Sequence, residues 1–314
     1  MSTLLSGFRK VFALVLSAVA ALTMLGPVTF SPVDKENIKL NFTIIADTHI
    51  DQIWNGDRLQ TLIKGLKDMS KAEIKSDALI IAGDLTESGT FNEFYKMRLA
   101  LNYFCKADNI LPEMGNHDIM GVKNIDGTTL MTYDFNAKKY FDLVEKTSGT
   151  PIAKIYFYRV IKGCYFIVLN PEGMAGMATV LSEAQLSWLD GLLTQAAAAG
   201  NPVFIVNHQP LEAVGDASAA LGAILQKYNG LLDIFFITGH YHDGFSANSI
   251  TNNGTVYFVD TPCFGKQQSC GYNKIGTGFQ AELYDGKIIF RARDFVDGVW
   301  VPEFDRTINL IDHS

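Results

Sequence analysis

The sequence has no surplus of positive charge: 26 Lys and Arg against 33 Asp and Glu leave a formal net charge of -7. This excludes a broad surface for holding nucleic acid, because neutralising phosphates takes clustered Lys and Arg. A small anionic substrate remains compatible, since a bound metal supplies local positive charge that the overall balance hides. No internal repeat, low-complexity tract or long linker follows Asn41, which predicts one domain over residues 38–314. With 48% hydrophobic residues, a chain of 314 residues can bury a large core. No GxSxG occurs either, so a serine hydrolase of that type is excluded. Cysteine is scarce, with four in all. Cys105 and Cys164 fall in apolar patterns and read as packed thiols. Cys263 and Cys270 flank a polar loop where a local disulfide and free thiols are both open, and their spacing is too loose for a zinc knuckle.

Charge is also missing from Val11 to Phe30, a run preceded by Arg9 and Lys10 and followed by Ser31, Pro32 and Asp34. No polar stripe interrupts it, which argues against an amphipathic core helix. Residues 1–32 therefore read as an export signal or an N-terminal membrane anchor, the apolar stretch 11–30 being long enough to cross a bilayer. The basic pair at its start predicts an extracytoplasmic location for the rest of the chain, whether anchored or secreted.

Beyond Asn41 short apolar runs alternate with amphipathic stretches. Strands are expected at residues 42–46, 78–82, 110–114, 155–160, 165–169, 203–207, 233–238 and 256–259. Helices are expected near residues 56–75, 90–106, 132–147, 182–199 and 216–228, the fourth with Ser182 as N-cap. A hairpin is predicted from the runs 279–284 and 288–293 around Asp285-Gly286. The aromatic-rich segment 294–310 should pack on the sheet that carries it. The pattern is α/β with an α+β-like admixture, combining parallel βαβ units and antiparallel pairing, and in such folds chemistry gathers at the carboxyl ends of strands.

The residues that follow the apolar runs read IIADTHID, LIIAGDLTES, LPEMGNHD, FIVNHQP and FFITGHYHDG. Five of the six histidines lie in these segments, together with Asp and Asn. Imidazole, carboxylate and amide are ligand types for first-row divalent metals, and the lack of cysteine among them argues against a purely structural zinc site. Asp47, His49, Asp84, Asn116, His208, His240 and His242 exceed what one metal needs and suit two, with one carboxylate shared. Alternation at a strand end would send His240 and His242 to the same side. Two divalent cations against Asp47 and Asp84 leave a charge of about +2, which attracts phosphate.

These blocks resemble those of the calcineurin-like metallophosphoesterases: DxH at Asp47-Thr48-His49, GD at Gly83-Asp84, GNHD at Gly115-Asn116-His117-Asp118, a single histidine at His208, and GHxH at Gly239-His240-Tyr241-His242. The resemblance spans residues 42–260. It implies two facing mixed sheets flanked by helices, a four-layer sandwich. It also implies that Asp47, His49, Asp84 and His242 hold one metal, that Asp84, Asn116, His208 and His240 hold the other, and that His117 faces the substrate as acid. Two divalent ions are implied as cofactors, chosen among Mn, Fe, Zn, Ni and Co. His at position 49 and Glu at position 87 depart from the purple acid phosphatases, while VNHQP is similar to the cyclic-nucleotide-phosphodiesterase-like branch. The implied activity is hydrolysis of small phosphodiesters or phosphomonoesters by metal-activated water. The contrasting expectation is a non-catalytic surface module stabilised by its metals. Residues 119–136, 171–181 and 263–276 are expected to shape the substrate pocket, and Trp54, Lys123, Tyr241, Lys266 and Lys274 read as ordinary surface residues within reach of it.

Overall fold

The computed structural model describes residues 30–53, 56–120, 133–175 and 178–311. The apolar segment 11–30, apart from Phe30, lies outside the described residues, as do Trp54, Lys123 and His313. Among the described residues no helix is long and apolar enough to cross a membrane.

Strands β1 (Leu40–Ile45), β2 (Ala78–Ile81) and β3 (Asn109–Pro112) pair in parallel. The hairpin β4 (Phe157–Ile161) and β5 (Cys164–Val168) begins a second sheet, and β6 (Met174–Ala175) with β7 (Ala178–Thr179) forms a small ribbon. Next come β8 (Val203–Val206), β9 (Ile234–Thr238), β10 (Ile250–Asn252) and β11 (Val256–Asp260), completing the second sheet in the order β10-β11-β9-β8-β5-β4. The predicted hairpin is β12 (Thr277–Tyr284) with β13 (Lys287–Asp294); β12 lies antiparallel on β1. The short strands β14 (Val299–Trp300) and β15 (Arg306–Asn309) both pair with β13. The C-terminal segment thus does more than pack on this sheet: it extends it.

Side-chain alternation builds the layers. Phe166, Phe204 and Phe235 point to the first sheet, where Phe42 meets Phe166 at 5.1 Å and Phe204 at 4.7 Å between ring centroids. The intervening residues Ile167, Val203, Ile205 and Phe236 face the other way, onto Leu189 and Leu193 of helix Glu183–Ala199 and onto Leu221 and Leu225 of helix Ser218–Lys227. A strand covered on both faces must be apolar at every position, which is why these read as unbroken runs. Helices Asp57–Met69, Phe91–Phe104 and Tyr133–Ser148 flank the first sheet.

Ser182 accepts a hydrogen bond from Gln185 N at 3.2 Å and so caps its helix as expected. The helix expected to run to residue 75 stops at Met69, because Ser70 Oγ donates to Lys67 O at 2.7 Å and the chain turns. Helix Asn116–Met120 was not foreseen; five residues carry too little periodicity to register. All four cysteines are free thiols, which closes the question of a Cys263–Cys270 bridge.

Candidate metal centre

Every predicted site residue follows the carboxyl end of a parallel strand: Asp47 and His49 after β1, Asp84 after β2, Asn116 and His117 after β3, His208 after β8, His240 and His242 after β9. The structure brings all eight together. One ligand atom each from Asp47, His49, Asp84 and His242 lie within 4.8 Å of one another. His208 Nε2 is 3.3 Å from Asp84 Oδ2. His240 Nδ1 is 3.0 Å from Asn116 Oδ1, and the His208 and His240 rings meet at 5.2 Å. The backbone N–H of His117 donates to Asp84 Oδ1 at 2.9 Å, and its ring packs edge-on to His49 at 4.7 Å.

Local backbone geometry accounts for this convergence better than strand alternation does. Asp47, His49, Asp84, His240 and His242 all have positive φ, between 44° and 79°; Lys162 is the other non-glycine case among the described residues. A left-handed residue with a Cβ costs roughly 1–2 kcal/mol. Strain of that size concentrated at one place marks the strand ends as over-determined by their surroundings. His240 and His242 turn into the centre through these loops, not through a two-residue strand repeat. Close approach adds a second constraint: a Cβ on Gly115 would lie 2.1 Å from Asp84 Oδ1, and one on Gly239 would lie 2.4 Å from Asp47 Oδ2.

Hydrogen bonding leaves a place for positive charge at the centre. His208 Nδ1 is 3.0 Å from Ala82 O, so Nδ1–H donates there and Nε2 is the nitrogen turned to the centre, where a proton or a metal ion has to sit against Asp84. That Nε2 is buried, has no hydrogen-bond partner and faces a carboxylate oxygen. Across the centre, His49 Nδ1 is 3.2 Å from Glu87 Oε2, and its Nε2 lies 2.9 Å from His242 Nε2, 3.5 Å from Asp84 Oδ2 and 3.8 Å from Asp47 Oδ1. Two carboxylates and several imidazole nitrogens packed this closely call for positive charge among them. The residues therefore fit divalent metal ions.

The electrostatics show the same demand. Burial pulls His208 down, yet Asp84 more than compensates and pushes it up to about 10. Burial raises Asp84, but His208 first and then His49 and His117 outweigh it and hold the carboxyl well below the usual range. His240 falls to about 4 through burial and the charge of His208, and His49 falls through burial.

The supporting contacts of Asp118, Glu87 and Lys266 escape the sequence, although the residues themselves stand in or beside its blocks. Asp118 accepts from Leu85 N, Thr86 N, Thr86 Oγ1 and Gly115 N at 3.0, 2.8, 2.6 and 2.8 Å, tying the second block to the third. Burial and Asp84 push its carboxyl up to about 7. Its place as the last letter of GNHD was the available signal. Glu87 holds Arg58 at 2.6 Å and Lys266 at 2.9 Å, so Lys266 belongs to the centre's edge and not to the open surface. Lys274 instead pairs with Asp297 at 2.7 Å, and Tyr241 donates to Glu212 at 3.2 Å.

Residues 40–244 match the family model described as calcineurin-like phosphoesterase. The chain belongs to the calcineurin-like phosphoesterases. It is 25% identical over 238 residues to a cAMP/cGMP dual specificity phosphodiesterase of Mycobacterium tuberculosis, a match covering 70% of this chain and 66% of that protein. It is 26% identical over 212 residues to a probable cyclic nucleotide phosphodiesterase of Ruthia magnifica, covering 64% of this chain and 78% of that one. In fold it is similar to a dimetal phosphatase from Danio rerio, with a TM-score of 0.63 at 14% identity over 87% of this chain and 99% of the other. A purple acid phosphatase from Lupinus luteus shares the fold at a TM-score of 0.58 and 12% identity, over 86% of this chain and 53% of that one.

Proposed function

We propose that this member of the calcineurin-like phosphoesterases is a two-metal hydrolase of small phosphodiesters, with cyclic nucleotides as the first substrate class to try, acting outside the cytoplasm. The buried, partnerless Nε2 of His208 beside Asp84, matched across the centre by the Nε2 pair of His49 and His242, is the observation that carries the reading. Asp47, His49, Asp84 and His242 would hold one ion and Asp84, Asn116, His208 and His240 the other, with Asp84 shared. Bound divalent ions supply Lewis-acid charge for the phosphoryl oxygens and activate water.

The chain's own residues do the rest. His117 Nδ1 is 2.8 Å from Glu87 O, so Nδ1–H is committed to that carbonyl and the proton His117 can give up sits on Nε2. His117 is half-buried, open enough to meet a substrate, and a proton donated to the leaving oxygen completes ester cleavage. Asp84 is fixed by the His117 backbone and His208, which keeps its carboxylate where both halves reach it. Cyclic nucleotides enter from the two relatives, whose names give that substrate class. The extracytoplasmic location rests on the uncharged segment after Arg9 and Lys10.

The test is a panel of cyclic nucleotides, nucleotides, glycerophosphodiesters and bis(p-nitrophenyl) phosphate, assayed with added Mn, Fe, Zn or Ni. Asp84→Ala should release both metals and lower hydrolysis by about a thousandfold or more; a variant that keeps its metals and its rate sinks the scheme. His117→Ala should retain full metal content while turnover drops by about a hundredfold or more. Loss of metal from that variant would show His117 to be a ligand instead of the acid.

A further inference from the structure

Cys263 carries its thiol into the metal centre. Its Sγ and one ring nitrogen each from His49 and His242 lie within 4.8 Å of one another. The residue is fully buried, and Sγ donates to Asp47 O at 3.5 Å. The segment that delivers it clasps the first metal block from beneath: Phe264 N donates to Ala46 O and Gly265 N to Asp47 O, both at 2.9 Å. Only glycine fits at 265, where a Cβ would lie 2.0 Å from Thr48 O. Backbone pairing therefore holds the segment that carries the thiol against the first metal block, beside the two histidines.

We propose that Cys263, His49 and His242 form a second, mutually exclusive donor set that captures soft, thiophilic cations and thereby switches the centre off. The proposal rests on the reading of His49 and His242 as metal ligands. Two imidazoles and a thiolate are a soft set, preferred by ions such as Cd2+ over the carboxylate-rich set that suits Mn2+ or Fe2+. Around a tetrahedral ion a sulfur and a nitrogen ligand sit roughly 3.6 Å apart, so side-chain movements on the order of 1 Å close the triad. The sulfur–metal bond forms as the thiol proton passes to solvent. Both histidines then leave Asp47 and Asp84, so the ion that this half would otherwise hold has no imidazole ligands.

Cd2+ is the probe, added to the full-length protein with its native metals in place. The wild type and Cys270→Ser should develop a sulfur-to-metal charge-transfer absorption in the ultraviolet, and Cys263→Ser should not. With each variant scored against its own uninhibited rate, the Cd2+ concentration that halves hydrolysis should rise about tenfold or more in Cys263→Ser. Cys263→Ala supplies the same comparison if the serine hydroxyl disturbs the buried site. An absorption that survives in both Cys263 variants, or that never appears in the wild type, overturns the proposal. His242→Ala separates it from the reading beneath it: full native metal content in that variant would refute the ligand assignment, whereas the Cys263 spectra judge the thiol alone.

Discussion

On one side of Asp84, the ligand atoms of Asp47, His49 and His242 crowd within 4.8 Å of it and of one another. On the other, His208 Nε2 approaches Asp84 at 3.3 Å while Asn116 and His240 pair with each other at 3.0 Å. The supports differ as well. His49 leans on the Glu87 carboxylate, itself flanked by Arg58 and Lys266, whereas His208 leans on the backbone carbonyl of Ala82 and Asn116 on the side chain of Gln209 at 3.4 Å. The first half has two carboxylates of its own or shared, the second only the shared one. Charge on the ligands sets how tightly a hard or borderline cation is held, so the halves should hold their ions unequally.

Asp47→Ala against Asn116→Ala would break this comparison most sharply. Graded chelation of the wild type should remove metal in two steps, the Asn116 side first. Asn116→Ala should already carry only about one ion per chain, while Asp47→Ala should lose the more tightly held one. Elemental analysis after each step reads the result. If both variants lose metal alike and chelation proceeds in one step, the halves are equivalent and the charge argument fails.

The pH dependence comes next in size. In the metal-free protein His208 is pushed up to about 10 by Asp84, so a proton occupies Nε2 at neutral pH and must leave when a metal binds. Affinity in the second half should therefore rise with pH, by up to about tenfold per unit, and level off near pH 10. His49 is pushed down by burial, so His49 itself should add little to the change near pH 7. The same shift fixes the sign for stability. His208 is raised from 6.5, so its contribution to the metal-free fold is fully present below pH 6.5 and is lost as pH rises through about 10. Melting of the metal-free protein across that window should fall with pH, and calorimetry in buffers of different ionisation enthalpy should count the released proton.

How much of this was legible in the sequence follows from what each contact needs. The candidate ligands were legible because strand ends are marked by the apolar runs before them, and Asp, Asn and His after such runs are out of place as packing. The supports were not. Cys263 reaches Asp47 across 216 residues and Lys266 reaches Glu87 from another loop, contacts that no local spacing encodes. The inner strands registered as apolar runs because both faces are covered. β14 and β15 escaped because most of their residues stay partly exposed at the sheet edge. His240 and His242 come to the cluster by another route than the expected one: left-handed backbone, not a strand repeat, turns them inward.

Glu87→Gln gives the smallest expected effect and the finest test of the unequal supports. The substitution keeps the side chain's shape but removes the charge beside His49 Nδ1 and leaves Arg58 and Lys266 without their shared anion. A carboxylate beside a metal-binding imidazole orients the ring and makes its other nitrogen more basic, and losing it should weaken the first-half ion by about tenfold. The second half, which touches Glu87 through none of its ligands, should keep its affinity, and turnover per fully loaded centre should change less than affinity does. Equal weakening of both halves would mean that Glu87 acts through its overall field. High salt then discriminates again, since a field effect on partly exposed charges is screened, whereas a direct 3.2 Å contact with a buried ring is screened much less.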